Sequence, residues 1–149
     1  MRCVVQVVQH ASVTVSGEKI AEIGRGFLVF LGISNADTEE LTDKMVKKIC
    51  SLRIFPDENG KTNLSLSDVG GSLLVVSQFT LYANCKKGNR PSFIEAGSHE
   101  IATCIYEHFT KEAKKYVPKV QHGQFGADMK VDLLNDGPFT LMLDSDTLF

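Results

Sequence analysis

Two short segments carry residue types whose spacing could do chemistry. Ser77-Gln78-Phe79-Thr80-Leu81 closes an apolar, β-branched run that begins at Ser72. Small polar side chains at the C-terminal end of a buried strand are what a binding crevice in an α/β sheet requires. The second segment is Asn135-Asp136-Gly137-Pro138-Phe139-Thr140. Its glycine and proline read first as turn punctuation. An X–Pro bond also tolerates the cis form at about 0.5–1 kcal/mol. A cis Gly137-Pro138 bond would aim two successive carbonyl oxygens in one fixed, unusual direction.

The familiar catalytic engines are missing. His10, His99, His108 and His122 form no HExxH run and have no ligand spacing with Cys3, Cys50, Cys85 or Cys104, so no metal is expected. His99 and His108 fall on or beside a helix, where surface and interface roles prevail. A Cys/His nucleophile pair stays open, because such pairs meet in space rather than in sequence. There is no GxSxG elbow, no P-loop and no GxGxxG after a strand; Gly24-Arg25-Gly26 is a turn. Asp37, Glu39, Glu40 and Asp43 belong to a helix start, which favours acidic residues. A nucleophilic Thr80 would need an adjacent base, and none is near it in sequence.

The elements that must position these segments follow from periodicity. Cys3 to Val8 is apolar and β-branched, and Val13 and Val15 alternate with Ser12 and Thr14 before a turn at Gly17-Glu18. Phe27 to Ile33 is a continuous apolar run, a buried central strand whose Gly32 marks a bulge or close backbone approach. Asp37 is the expected N-cap of a first helix, with Glu40 at capping-box spacing and Leu41, Met45, Ile49 and Leu52 on one face. Lys44, Lys47 and Lys48 occupy the other sides and read as a solvated face. Ser72 to Leu81 is expected as one strand, and 83–97 as a long loop. Ser98 caps a second helix with an apolar face of Ile101, Ile105, Phe109 and Ala113. Two last strands are expected, Met129 to Leu134 and Phe139 to Leu143, joined by Asn135 to Pro138.

Composition bounds the class. The chain has 149 residues, 43% hydrophobic and 23% charged, the profile of one soluble globular domain. No apolar run approaches the roughly 20 residues that span a bilayer, and the N-terminus shows no signal-peptide segment. Unpaired thiols and this N-terminus give the expectation of a cytoplasmic protein with no membrane partner. Sixteen cationic and 18 anionic side chains leave a net charge of −2. That argues against coating nucleic acid along its length, so no DNA partner is expected, but gripping one RNA end needs only a few local cations. Lys86, Lys87 and Arg90 give three cations in five residues, and Lys111, Lys114, Lys115 and Lys119 form a second cluster.

Both functional segments, with Ala11-Ser12-Val13-Thr14-Val15, Leu52-Arg53-Ile54-Phe55, Asn63-Leu64-Ser65, Gly70-Gly71, Arg90-Pro91-Ser92-Phe93 and Phe125-Gly126-Ala127-Asp128-Met129, resemble the D-aminoacyl-tRNA deacylases, also called D-tyrosyl-tRNA deacylases. The resemblance runs almost end to end. It implies one compact α/β domain over 1–149, with two main helices and a mixed sheet curled into a barrel-like shape, paired as a homodimer with its active sites at the interface. It implies hydrolysis of the ester joining a D-amino acid, or glycine mischarged on tRNA for alanine, to the terminal adenosine of tRNA, with L-aminoacyl-tRNA spared and no cofactor. Ser77, Gln78, Phe79 and Thr80 would form the catalytic wall, one backbone N–H of Phe79 or Thr80 serving as an oxyanion donor. Gly137 and Pro138 would enter the partner's pocket, hold the substrate ammonium and block an L side chain. Phe125 and Met129 would pack the terminal adenine, and Lys86, Lys87 and Arg90 would meet tRNA phosphates.

One position departs from the family pattern. An arginine is usual in the first strand and braces the Gly-Pro loop, whereas this chain reads Gln6-Val7-Val8. The Val7 side chain cannot donate a hydrogen bond, so either another group braces the loop or the loop is set differently, and looser stereoselectivity than usual is expected. Two alternative functions stay open at this point: an esterase or amidase for free D-aminoacyl compounds, and a non-catalytic module that binds an RNA end.

Overall fold

The structure, a computed structural model, describes all 149 residues except the side chain of Pro138. The chain runs β1 (Arg2–Val15), β2 (Glu18–Ile23), β3 (Gly26–Gly32), α1 (Glu39–Cys50), β4 (Phe55–Pro56), β5 (Thr62–Leu64) and β6 (Ser72–Ser77). A 3-10 turn over Phe79–Tyr82 follows, then α2 (His99–Ala113), β7 (Val120–His122), β8 (Met129–Asp144) and a short α3 (Ser145–Leu148).

Five strands lie in the order β2-β1-β3-β6-β7, with β8 on the other side of β1. The β3–β6 and β6–β7 pairs are parallel and the rest antiparallel. Parallel neighbours need long crossovers, and α1 and α2 lie in those two connections. This explains the unbroken apolar runs of β3 and β6, since a parallel strand is covered on both faces. Leu73 and Val75 face the cluster built with α1 and α2, while Leu74 and Val76 face a second cluster with Val8, Val13 and Leu28. β2 curls round to meet β6 and β7, giving the mixed, nearly closed barrel-like sheet.

Four local expectations need correction. Thr38, not Asp37, caps α1, its side chain accepting the Leu41 N–H at 3.2 Å. Asp37 is buried instead, taking the Met1 ammonium at 2.7 Å and the Ser34 N–H at 2.8 Å. Ile101 stays exposed on α2, and Ala102 and Tyr106 take the buried positions beside Ile105 and Phe109. The strand expected to reach Leu81 ends at Ser77.

The last correction matters most. Met129 to Asp144 is a single strand, antiparallel to β1 along its whole length. Asn135 lies opposite Val8 and Thr140 opposite Gln6, so five steps of β8 oppose two of β1. The segment 136–139 is therefore a bulge pushed out of a continuous ladder, not a link between two strands.

Candidate active site

A cavity of about 470 Å³ opens where the two core layers end. Leu31, Ile33 and Ala102 wall it from the helix side; Val76, Met129 and Val131 wall it from inside the curled sheet. Ser77, Gln78 and Phe79 form its rim at the end of β6.

Backbone geometry fixes that rim. Ser77 pairs with Leu31, and the Gln78 N–H donates to the Leu31 carbonyl at 2.8 Å. The chain then tightens into the 3-10 turn, with Leu81 N–H on the Gln78 carbonyl at 3.2 Å. Gly32 permits this turn: a Cβ there would sit 2.9 Å from Leu81 Cβ and 3.1 Å from the Gln78 carbonyl oxygen. The close approach expected at Gly32 is thus present. The far end of the turn is held by Arg2, which donates to the Leu81 carbonyl at 3.1 Å and stacks 4.5 Å from the Tyr82 ring centroid. A short helix leaves the first backbone N–H groups without intrahelical partners; here these belong to Phe79 and Thr80.

Thr80 stands one residue beyond the cavity rim, exposed, with its hydroxyl accepting the Gln78 side-chain amide. No histidine or carboxylate is among its hydrogen-bond partners in the described residues. The cavity has one histidine, His99, and no cysteine among its described lining residues. Burial pushes the Cys50 thiol up to about 12 and raises Cys3 as well. The Cys/His arrangement left open by the sequence is thereby removed from this cavity.

Phe125 and Met129 both line the cavity. Phe125 meets His99 edge-on at 5.3 Å and Tyr106 at 5.6 Å. Tyr106 is buried, and its hydroxyl donates to the Val75 carbonyl at 2.8 Å. Desolvation raises its phenol well above the ordinary range. It therefore serves as a neutral pin between α2 and β6. His99, expected in a surface or interface role beside a helix, lines the cavity with Asp128 of the Phe125–Met129 motif, and Tyr106 carries no signal in the sequence. His99 follows a recognisable helix cap, but nothing in the sequence says that cap abuts Phe125.

Gly137 is elsewhere. It is exposed, with nothing within 4 Å of where a Cβ would stand, and it lines a smaller cavity of about 240 Å³ with Val7, Ile54 and Phe55. The expected role of the Pro138 side chain lies outside the described residues. Asn135 ties the neck of the bulge, donating to the Val7 carbonyl at 2.8 Å and to the Phe139 carbonyl at 3.2 Å. Gln6 adds a bond to the Thr140 hydroxyl at 3.1 Å. Val7 itself is core, 3% exposed. Where the resemblance leads us to expect an arginine, the Val7 backbone carbonyl receives the Asn135 side-chain amide.

Lys86, Lys87 and Arg90 are exposed in the 83–97 loop, outside the cavity. That loop reaches the site through Phe93, packed edge-on against Phe79 at 5.1 Å.

Comparison with known proteins decides the family. The sequence model described as D-Tyr-tRNA(Tyr) deacylase matches residues 4–144. The chain belongs to this deacylase family. A protein named D-aminoacyl-tRNA deacylase from Clostridium novyi (strain NT) is 54% identical over 145 residues, 97% of each chain. One of the same name from Thermosipho africanus (strain TCF52B) is 51% identical over 149 residues, the whole of both. Among solved structures, c-Myc DNA Unwinding Element Binding Protein aligns with a TM-score of 0.91 at 46% identity, covering 97% of this chain and 98% of that one. A probable eukaryotic D-amino acid tRNA deacylase shares the fold at a TM-score of 0.83 and 19% identity, covering 95% and 97%. The deacylase fold therefore extends over nearly the whole chain. No helix in it is long and apolar enough to cross a membrane.

Proposed function

We propose that this member of the deacylase family works in the cytoplasm as a homodimeric tRNA-editing hydrolase. It cleaves the ester of D-aminoacyl-tRNA, and of glycyl-tRNA mischarged on tRNA for alanine, to free amino acid and tRNA. The coarse activity, D-aminoacyl-tRNA deacylation, follows from the family. One observation carries the dimeric arrangement: within one chain, Ser77 to Phe79 and Gly137 line two different cavities. Two motifs of one site that do not meet within a subunit must meet between subunits. The free edge of β8, with Leu134 47% and Met142 71% exposed, supports pairing between copies, since an unpaired apolar edge invites a second chain.

The aminoacyl ester is already activated, and the ribose supplies a vicinal hydroxyl, so positioning and electrostatics can carry the reaction. The absence of a base beside Thr80 favours this over a threonine nucleophile. Gln78 holds Thr80, and a free N–H of Phe79 or Thr80 faces the developing oxyanion. Carbonyls of the partner's Gly137-Pro138 segment would receive the substrate ammonium and obstruct an L side chain. Glycine has no side chain to obstruct. Phe125 and Met129 form the apolar wall for the adenine, and Lys86, Lys87 and Arg90 would meet phosphates.

The test is subunit complementation. Gln78→Ala and a deletion of 136–138 are each expected to be inactive on D-aminoacyl-tRNA. Mixed and re-equilibrated, they should recover roughly a quarter of wild-type activity, because half the dimers then hold one intact composite site of two. No recovery, with heterodimers shown to form, would overturn the shared site. Wild-type preference for a free D-amino-acid ester over D-aminoacyl-tRNA would favour the free-substrate esterase. Cleavage of neither would leave an RNA-end binder.

A further inference from the structure

The C-terminal half of α1 borders a groove of about 440 Å³ that the active-site reading leaves unused. Lys44, Lys47 and Lys48 form one wall, Arg53 stands just beyond the helix, and Leu52 and Phe149 make an apolar floor. Among the described residues, Lys47 and Lys48 form no ion pair, and Lys44 meets only Glu40, at 2.7 Å. Arg53 is exposed, donating through Nε to the Asn63 carbonyl at 2.7 Å. Phe149 is 53% exposed. A chain of net charge −2 thus lines one groove with four cationic side chains and one aromatic.

We propose that this groove binds the sugar–phosphate backbone of the substrate tRNA, with a base stacked on Phe149. The inference rests on the tRNA-editing function proposed above. Cations interleaved with an exposed aromatic are the arrangement that follows a nucleic-acid strand, the cations meeting phosphates and the ring accepting any base. Lysine stems cover the apolar floor while their ammonium groups stay in water. The location fits as well. Leu52-Arg53 runs directly into Ile54, Phe55 and Pro56, which wall the cavity beside Gly137. RNA leaving a site entered by the Gly137 bulge would therefore pass this groove on the subunit that donates the bulge.

The experiment uses Lys47→Gln/Lys48→Gln, Phe149→Ala and the charge-matched control Lys19→Glu, whose site is an exposed pair with Glu22. Affinity for uncharged tRNA is measured against salt, alongside kinetics on D-aminoacyl-tRNA and on the D-aminoacyl ester of adenosine alone. In the double variant the slope of log K against log salt should fall in magnitude by about 1.4–1.8, at roughly 0.7–0.9 per lost phosphate contact. KM for D-aminoacyl-tRNA should rise about tenfold or more with kcat unchanged, and hydrolysis of the adenosine ester should not move. Phe149→Ala should weaken tRNA binding about 5- to 150-fold, the range of one base–aromatic stack. An unchanged slope and affinity, an equal loss from Lys19→Glu, or binding of an acidic peptide while tRNA is unaffected would each overturn the proposal. Binding to uncharged tRNA reads the groove even if wild type fails to hydrolyse D-aminoacyl-tRNA, so the two readings fail separately.

Discussion

The rim at Ser77 to Tyr82 and the bulge at 136–139 are held in opposite ways. The rim is clamped by backbone: a parallel strand register, a hydrogen bond to Leu31, and Gly32 beneath it with no room for a side chain. The bulge stands in open space and is held at its neck by side chains, chiefly Asn135. A backbone clamp fixes position, since packed interiors do not yield by fractions of an ångström without cost. A bulge tied at its neck keeps its tip available to another surface.

The sharpest way to break the comparison is at Gly32. Gly32→Ala should push the turn off β3, because the new Cβ would meet Leu81 Cβ at 2.9 Å. We expect kcat/KM on D-aminoacyl-tRNA to fall about a hundredfold, with a stability loss of about 1–3 kcal/mol by denaturant titration. Retained activity would mean that the rim is not fixed by this approach.

Asn135→Ala should act differently. It frees the Val7 and Phe139 carbonyls at a partly exposed site, so stability should drop by only about 0.5–1.5 kcal/mol. Activity should fall about tenfold on D-substrates, and cleavage of L-aminoacyl-tRNA should become measurable, as paired D and L assays would read. If L-cleavage is already present in wild type, Val7 has loosened chiral selection despite the asparagine brace. If it is absent even at high enzyme levels, Asn135 and Gln6 suffice in place of arginine.

Tyr106→Phe should have the smallest effect. It removes one hydrogen bond to the Val75 carbonyl, which still receives the Gly123 N–H at 2.9 Å. A loss of about 1 kcal/mol is expected, with kcat/KM down only a few-fold. A large kcat effect would mean that the Phe125 wall depends on this pin.

Much of this was legible in the residues. Ser98 capped α2 as its type requires, Gly32 marked a close approach, and the apolar runs of β3 and β6 announced strands covered on both faces. The failures share a cause. Asp37 looked like a cap because its local spacing suits one, yet a partner 36 residues away, the Met1 ammonium, took it. Asn135 to Pro138 looked like a turn because Gly-Pro usually is one, yet β1 continues straight past it and keeps both flanks in one ladder.

The sequence by itself determined the main helices, the apolar runs of β1, β3 and β6, and which family the motifs resemble. Those properties depend on periodicity and residue type over a few positions. Tertiary structure alone decided that Ser77 to Phe79 and Gly137 open onto different cavities, that Asn135 bonds the Val7 and Phe139 carbonyls, and that the α1 lysines and Phe149 line one groove. Each of these depends on register or on packing between residues far apart in the chain, where a shift of one position turns a side chain to the opposite face.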